Sequence, residues 1–143
     1  MALQDDGYKT TVVFTADATV LFEEKSVTPP SVSGGGEKEV TTMKNTTYRT
    51  RMPKKLITIG PMEMVVAYDP GTWTEIIALC NNNDLVTITW PDGATLAFYG
   101  YLDEFTPSEN VEGEQPEATI VIIPTLKHKT TLAETAPVYT API

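Results

Sequence analysis

Residues 85–105 read Leu85-Val86-Thr87-Ile88-Thr89-Trp90-Pro91-Asp92-Gly93-Ala94-Thr95-Leu96-Ala97-Phe98-Tyr99-Gly100-Tyr101-Leu102-Asp103-Glu104-Phe105. Two runs rich in β-branched and aromatic residues flank Trp90-Pro91-Asp92-Gly93, whose Asp-Gly pair supplies the backbone that a tight antiparallel connection needs. A β-hairpin is therefore expected, with strands over 85–90 and 94–105. On its C-terminal side, residues 117–124 alternate Ala118, Ile120 and Ile122 against Thr119, Val121 and Ile123, apolar enough on both faces for a central strand. On its N-terminal side, residues 56–68 place Met62, Met64, Val66 and Tyr68 on one face and Glu63, Val65 and Ala67 on the other, the period of a half-buried strand.

Between these strands lies Asp69-Pro70-Gly71-Thr72-Trp73-Thr74-Glu75-Ile76-Ile77-Ala78-Leu79-Cys80. A cap-type Asp, Pro at the first helical position and apolar residues at Trp73, Ile76, Ile77 and Cys80 predict one helix over about residues 70–81. Asn81, Asn82 and Asn83 tolerate left-handed backbone and stop it. Residues 10–24, rich in Val, Phe and Thr on either side of Asp17, read as a hairpin or bent strand. Residues 26–55 hold Pro29-Pro30, Gly34-Gly35-Gly36 and a basic stretch with no apolar period, broken only by a short strand over 39–43. That is an interruption far longer than the usual connection of about 4–6 residues, and its composition favours order on contact with a partner. Residues 125–143 have no period and should be extended unless a neighbour holds them. Strands spaced along the chain around one helix, without βαβ alternation, define an all-β fold: an antiparallel β-sandwich or barrel with one flanking helix, in a single domain over 1–143.

Charge and rare residues narrow the function. The chain carries 10 Lys and Arg against 19 Asp and Glu, a formal net charge of -9, opposite to the footprint of a duplex-binding protein. The imbalance is uneven: residues 37–56 sum to +4, while residues 1–36 sum to -3 and 57–143 to -10. A basic segment in an acidic chain suggests complementary surfaces between copies. One cysteine and one histidine leave no disulfide framework and no metal or other cofactor site to expect. The N-terminus, with Gln4, Asp5 and Asp6, lacks a secretory signal, and no run is long enough to span a membrane.

Catalytic readings are weak. Cys80 falls on the apolar helix stripe and His128 in the tail, so the thiol reads as a small buried hydrophobe and the chain as no enzyme. Asp103, Glu104, Glu109, Glu112, Glu114 and Glu117 read as a solvated acidic loop, not as paired glycosidase carboxylates. Gly34-Gly35-Gly36 lacks the Lys-Ser/Thr of a phosphate loop. Trp73, Trp90, Phe98, Tyr99 and Tyr101 belong by period largely to the core, which weighs against a sugar-binding face. Arg49, Arg51, Lys54 and Lys55 beside Tyr48 fit protein contact better than nucleic acid in so acidic a chain.

Several strings, taken in order, carry a resemblance: Val27-Thr28-Pro29-Pro30, Glu39-Val40-Thr41-Thr42-Met43, Tyr48-Arg49, Tyr68-Asp69-Pro70, Trp90-Pro91-Asp92-Gly93, Phe98-Tyr99-Gly100-Tyr101-Leu102 and Glu112-Gly113-Glu114-Gln115-Pro116. Over about residues 7–124 the chain resembles the major tail tube proteins of long, non-contractile-tailed, lambda-like bacteriophages. The resemblance implies a structural virion protein, assembled in the host cytoplasm, whose copies join edge to edge into hexameric rings stacked head to tail. It also implies other tail proteins as partners: tape measure, tail terminator and tail tip. The role of the loop that reaches the next ring falls on Pro29, Pro30, Thr41, Thr42, Met43, Tyr48, Arg49 and Arg51, with Lys54 and Lys55 adding charge. The family's decoration domain is not expected in a chain of this length. A lumen of like charge would guide DNA without binding it, and Glu63, Asp92 and Glu117 are the lumen candidates. Alternatives are a tail terminator or secretion-type ring protein of the same fold, or a monomeric carbohydrate-binding sandwich.

Overall fold

A computed structural model describes residues 10–15, 24–67 and 70–142. Its strands are β1 (Thr11–Phe14), β2 (Glu24–Thr28), β3 (Val32–Ser33), β4 (Glu37–Glu39), β5 (Arg51–Pro53), β6 (Thr58–Ile59), β7 (Met62–Ala67), β8 (Asp84–Thr89), β9 (Thr95–Pro107), β10 (Glu117–Pro124) and β11 (Val138–Thr140). The one α-helix among the described residues is α1 (Trp73–Leu79).

The 85–105 hairpin forms as expected: β8 pairs with β9 from Asp84↔Gly100 to Thr89↔Thr95. Its corner closes with Gly93 N–H on the Trp90 carbonyl at 3.0 Å and Trp90 N–H on the Ala94 carbonyl at 2.9 Å. Around it the sheet runs β1-β8-β9-β10-β7-β2, with β11 added to β9, and every pairing is antiparallel. The two ends of that path come together through a side chain, the Val12 N–H donating to Glu24 Oε1 at 3.1 Å, while β1 and β2 form no ladder with each other among the described residues. The sheet thus rolls into a barrel-like body whose inward positions bury Val12, Phe14, Met62, Met64, Val66 and their neighbours in one cluster. Of the hairpin or bent strand expected over 10–24, the first run forms β1, which pairs with β8, and Glu24 opens β2, which pairs with β7 at the other end of the path. Residues 16–23, including Asp17, lie outside the described residues.

β10 sits between β7 and β9, the central place its two apolar faces predict. Its pairing with β9 shifts register: Val121 faces Glu104 while Ile122 faces Leu102. Asp103 is the extra residue of a bulge, and Leu102 and Phe105 both keep their inward direction across it. Gly100 lies opposite both Asp84 and Pro124. A Cβ there would stand 2.8 Å from the Ile123 carbonyl oxygen, so three strands approach where only glycine fits.

The helix is shorter than the 70–81 read from sequence, and its buried face is turned. A 3-10 turn over Pro70–Thr72 leads into α1, which buries Ile76 and Leu79. Trp73 is 48% and Ile77 55% exposed, so neither belongs to the core. Asn81 adopts φ 58° and ends the helix as its residue type predicts. The Asn81 N–H then donates to the Leu102 carbonyl at 3.2 Å, tying the helix end to β9. Trp73 keeps an edge contact with Phe105, ring centroids 6.0 Å apart. Trp73→Ala is accordingly expected to cost about 1–2 kcal/mol, below the 3–5 of a fully buried aromatic. Thermal melts read this directly, and a loss of the full amount would return Trp73 to the core.

The C-terminal segment has the neighbour it needs. Thr125 N–H donates to the Tyr99 carbonyl at 2.8 Å, Asn83 Nδ2 donates to the Lys127 carbonyl at 2.8 Å, and β11 pairs with β9 over Val138↔Ala97 to Thr140↔Thr95. Lys129 Nζ lies 3.5 Å from Oδ1 of the buried Asp84.

Candidate functional site

The chain from β2 to β7 doubles back on itself as a nested hairpin. β2 pairs with β7 (Val27↔Met64), β3 with β6 (Val32↔Ile59) and β4 with β5 (Lys38↔Met52). Beyond β4 the pairing continues through single bonds: Val40 N–H donates to the Thr50 carbonyl at 3.0 Å and Thr50 N–H to Thr41 Oγ1 at 2.9 Å. Asn45 organises the tip. Its N–H donates to the Thr42 carbonyl at 3.0 Å, its Oδ1 accepts the Thr42 N–H at 2.9 Å, and its Nδ2 donates to the Tyr48 carbonyl at 3.0 Å.

The 26–55 stretch read as loop is therefore a paired arm, rooted in the barrel at both ends, and the strand expected over 39–43 gives way to Glu37–Glu39. Interruptions in the ladder have local causes. Pro29 and Pro30 bring no N–H between β2 and β3. Gly35 and Gly36, at φ 80° and 92°, turn the backbone between β3 and β4 through a region side chains disfavour. Between residues 31 and 58 only Val40 and Asn45 are half-buried; all others are exposed.

That exposure includes large apolar side chains. Val32, Met43, Tyr48, Met52, Leu56 and Ile57 all stand in solvent, Leu56 at 82%. Single exposed apolar residues are ordinary, but these six stand together on one element. Charge on the arm is divided in two. Arg49 Nη1 meets Glu39 Oε1 and Arg51 Nε meets Glu37 Oε2, each at 3.1 Å across the hairpin. Exposed pairs of this kind are worth about 0–1 kcal/mol and steady the arm itself. Lys38, Lys44, Lys54 and Lys55 are exposed and have no ion pair among the described residues. Against them, residues 57–126 contain eleven acids and no Lys or Arg.

Every residue assigned from sequence to the contact loop lies on this arm: Pro29 and Pro30 near its root, Thr41, Thr42, Met43, Tyr48, Arg49 and Arg51 toward its tip, Lys54 and Lys55 on its return. Sequence reasoning passed over Asn45, whose spacing from Thr42 is a turn signal, and the exposed Met52, Leu56 and Ile57. The lumen candidates do not form one group. Glu63 on β7 lies opposite Val121, which lies opposite Glu104, while Glu117 shares their outward face on β10. Lys25 Nζ pairs with Glu117 Oε1 at 2.6 Å. Asp92 instead sits in the β8–β9 corner, where its Oδ1 accepts the Ala94 N–H at 2.9 Å.

Cys80 and His128 form no catalytic pair. Burial, and then the nearby Asp103 carboxylate, push the Cys80 thiol above its ordinary pKa, which disfavours the thiolate a nucleophile needs. His128 Nδ1 accepts the Thr130 N–H at 3.2 Å and its ring stands 5.0 Å from Tyr99, a turn-stabilising role. Among the described residues no cluster of three or more His, Cys, Asp or Glu side chains is placed to hold a metal ion. Nor is any helix there long and apolar enough to cross a membrane.

These features define a class: an antiparallel β-barrel with one short helix and a long, self-paired, basic arm on an acidic body. No protein-family model and no curated protein sequence matches the chain. Solved structures do. A chain from the virion of a native gene transfer agent particle is similar in fold with a TM-score of 0.66 at 9% identity, over 96% of this chain and 99% of that one. A chain from the cryo-EM structure of the anti-feeding prophage baseplate, 6-fold symmetrised, gives a TM-score of 0.62 at 8% identity, over 98% and 97%. At such identities the likeness is one of fold, and it extends over nearly the whole of each chain.

Proposed function

We propose that this chain is a structural virion protein of a phage-type tail, in the manner of the lambda-like tail tube proteins. Its copies join into hexameric rings and stack into a tube whose acidic lumen conducts DNA. The observation that carries the reading is the arm: a long, solvent-exposed hairpin that presents apolar side chains, and lysines with no ion pair among the described residues, beside a body rich in acids. Such an element adds little to its own core and matches the rest of the chain in charge, as a head-to-tail contact between copies requires. Its fold is shared with chains of a virion and of a 6-fold baseplate, which supports an assembly of identical subunits. Unpaired sheet edges would be closed by ring formation. Glu63 and Glu104, on one outward sheet face, are the acids best placed for a lumen wall, and like charge there keeps DNA from binding to it. Tape measure, terminator and tip proteins are the further partners of such a tube, which assembles in the host cytoplasm and belongs to the virion.

Negative-stain electron microscopy of the concentrated protein is the direct test. Long hollow tubes are the expected result. Rings that never stack would indicate a terminator or secretion-type ring protein, and monomers under all conditions would reject the proposal.

A further inference from the structure

The arm needs a seat, and the body offers two exposed apolar surfaces. One is the outward face of α1, where Trp73 and Ile77 stand a helical turn apart and Trp73 adjoins Phe105. The other is the C-terminal segment, with Leu132, Val138 and Tyr139. Charge separates them. The C-terminal segment carries Lys127 and Lys129 against one acid, Glu134, and the Asp84 carboxylate beside it already meets Lys129, so a basic arm finds no excess of acid there. The helix lies within the stretch of 57–126 that has no basic residue and adjoins, through Cys80 and Leu102, the bulge where Asp103 stands close enough to Cys80 to act on its thiol. The arm of the same chain does not cover this face, since both surfaces are exposed together.

We propose that the Trp73–Ile77 face of α1 is the docking seat for the arm of a second copy of this chain. Apolar arm side chains such as Tyr48, Met52 and Leu56 lie on the helix, and the arm lysines stand beside Asp103. Hydrophobic contact and charge then select the same surface, so a lysine-bearing apolar hairpin fits here and not at the C-terminal segment. The inference rests on the reading of the arm as a contact between copies, and it adds the surface that receives it.

Photocrosslinking separates the two claims. Tyr48, exposed in the outer half of the arm, is replaced by a benzophenone amino acid, and concentrated protein mixed from isotopically light and heavy copies is irradiated and mapped by mass spectrometry. A light-to-heavy crosslink into the peptide spanning residues 73–80 is the expected result. An intermolecular crosslink elsewhere overturns the seat and leaves the arm reading standing; no intermolecular product at any concentration overturns both. Ile77→Lys, at an exposed position, should keep the wild-type melting temperature while reducing the 73–80 crosslink at least tenfold. Asp103→Lys repeats the test at a second exposed site, and an undiminished crosslink in either folded variant overturns the proposal.

Discussion

Reversal of Lys38, Lys44, Lys54 and Lys55 to Glu is expected to abolish assembly while leaving a folded monomer. All four lysines are exposed and lack an ion pair among the described residues, so each substitution falls in the class that changes stability by about 0.5 kcal/mol or less. The arm, which sums to +4 over residues 37–56, becomes -4 and, in the proposed stack, would face acidic surfaces of the next copy. Juxtaposed like charges cost several kcal/mol per contact. Since every 1.4 kcal/mol is about tenfold in an equilibrium constant, the concentration needed for assembly should rise by about a hundredfold or more. Sedimentation and electron microscopy read assembly, and circular dichroism with a thermal melt reads the monomer. Arg49 and Arg51 are left in place because they already pair with Glu39 and Glu37, and their removal would loosen the hairpin and confuse the two readouts. Wild-type tubes from the quadruple variant would remove charge as the basis of stacking.

The barrel was legible in the sequence where one face of a strand is buried. Met62, Met64 and Val66 alternate with Glu63, Val65 and Ala67, and the structure buries the first set; β10 and the β8–β9 hairpin follow from the same alternation and from Asp92-Gly93. The arm was not legible as strand because neither of its faces is buried. With no side that must avoid water, the pattern of period two that marks a strand is never written, and Pro29, Pro30 and Gly34 to Gly36 read as breakers. Its position and charge were legible all the same, since both depend on composition. The helix shows a different limit. Trp73, Ile76, Ile77 and Cys80 form a valid apolar stripe, but over seven residues the set Ile76 and Leu79 is equally compatible with a helical period. Which set faces inward is decided by β9, whose bulge at Asp103 seats the helix end on Leu102. Pairing of β1 and β2 with distant strands, β8 and β7, is likewise set by the roll of the sheet and carries no local signal.

Ile120→Ala should have the largest effect on the fold. Ile120 is fully buried in the middle of β10, opposite Met64 on β7 and Phe105 on β9. Truncation leaves a cavity between two strand pairs that ladder bonds hold apart, so relaxation is small and the cost should be about 2–5 kcal/mol. Against a total stability of about 5–15 kcal/mol, the melting temperature should fall by roughly 10 °C. Ile120→Val, which removes one methylene, should cost about 0.5–1.5 kcal/mol. A drop from Ile120→Ala no larger than that from Trp73→Ala would mean that the helix and not the sheet carries the core. The same variant also isolates the arm, whose hairpin, lysines and apolar side chains lie outside the buried cluster that contains Ile120. Below its lowered melting temperature Ile120→Ala should therefore still assemble, whereas the lysine variant should melt like wild type and not assemble. Opposite outcomes in the two variants would place the barrel core, and not the arm, at the junction between copies.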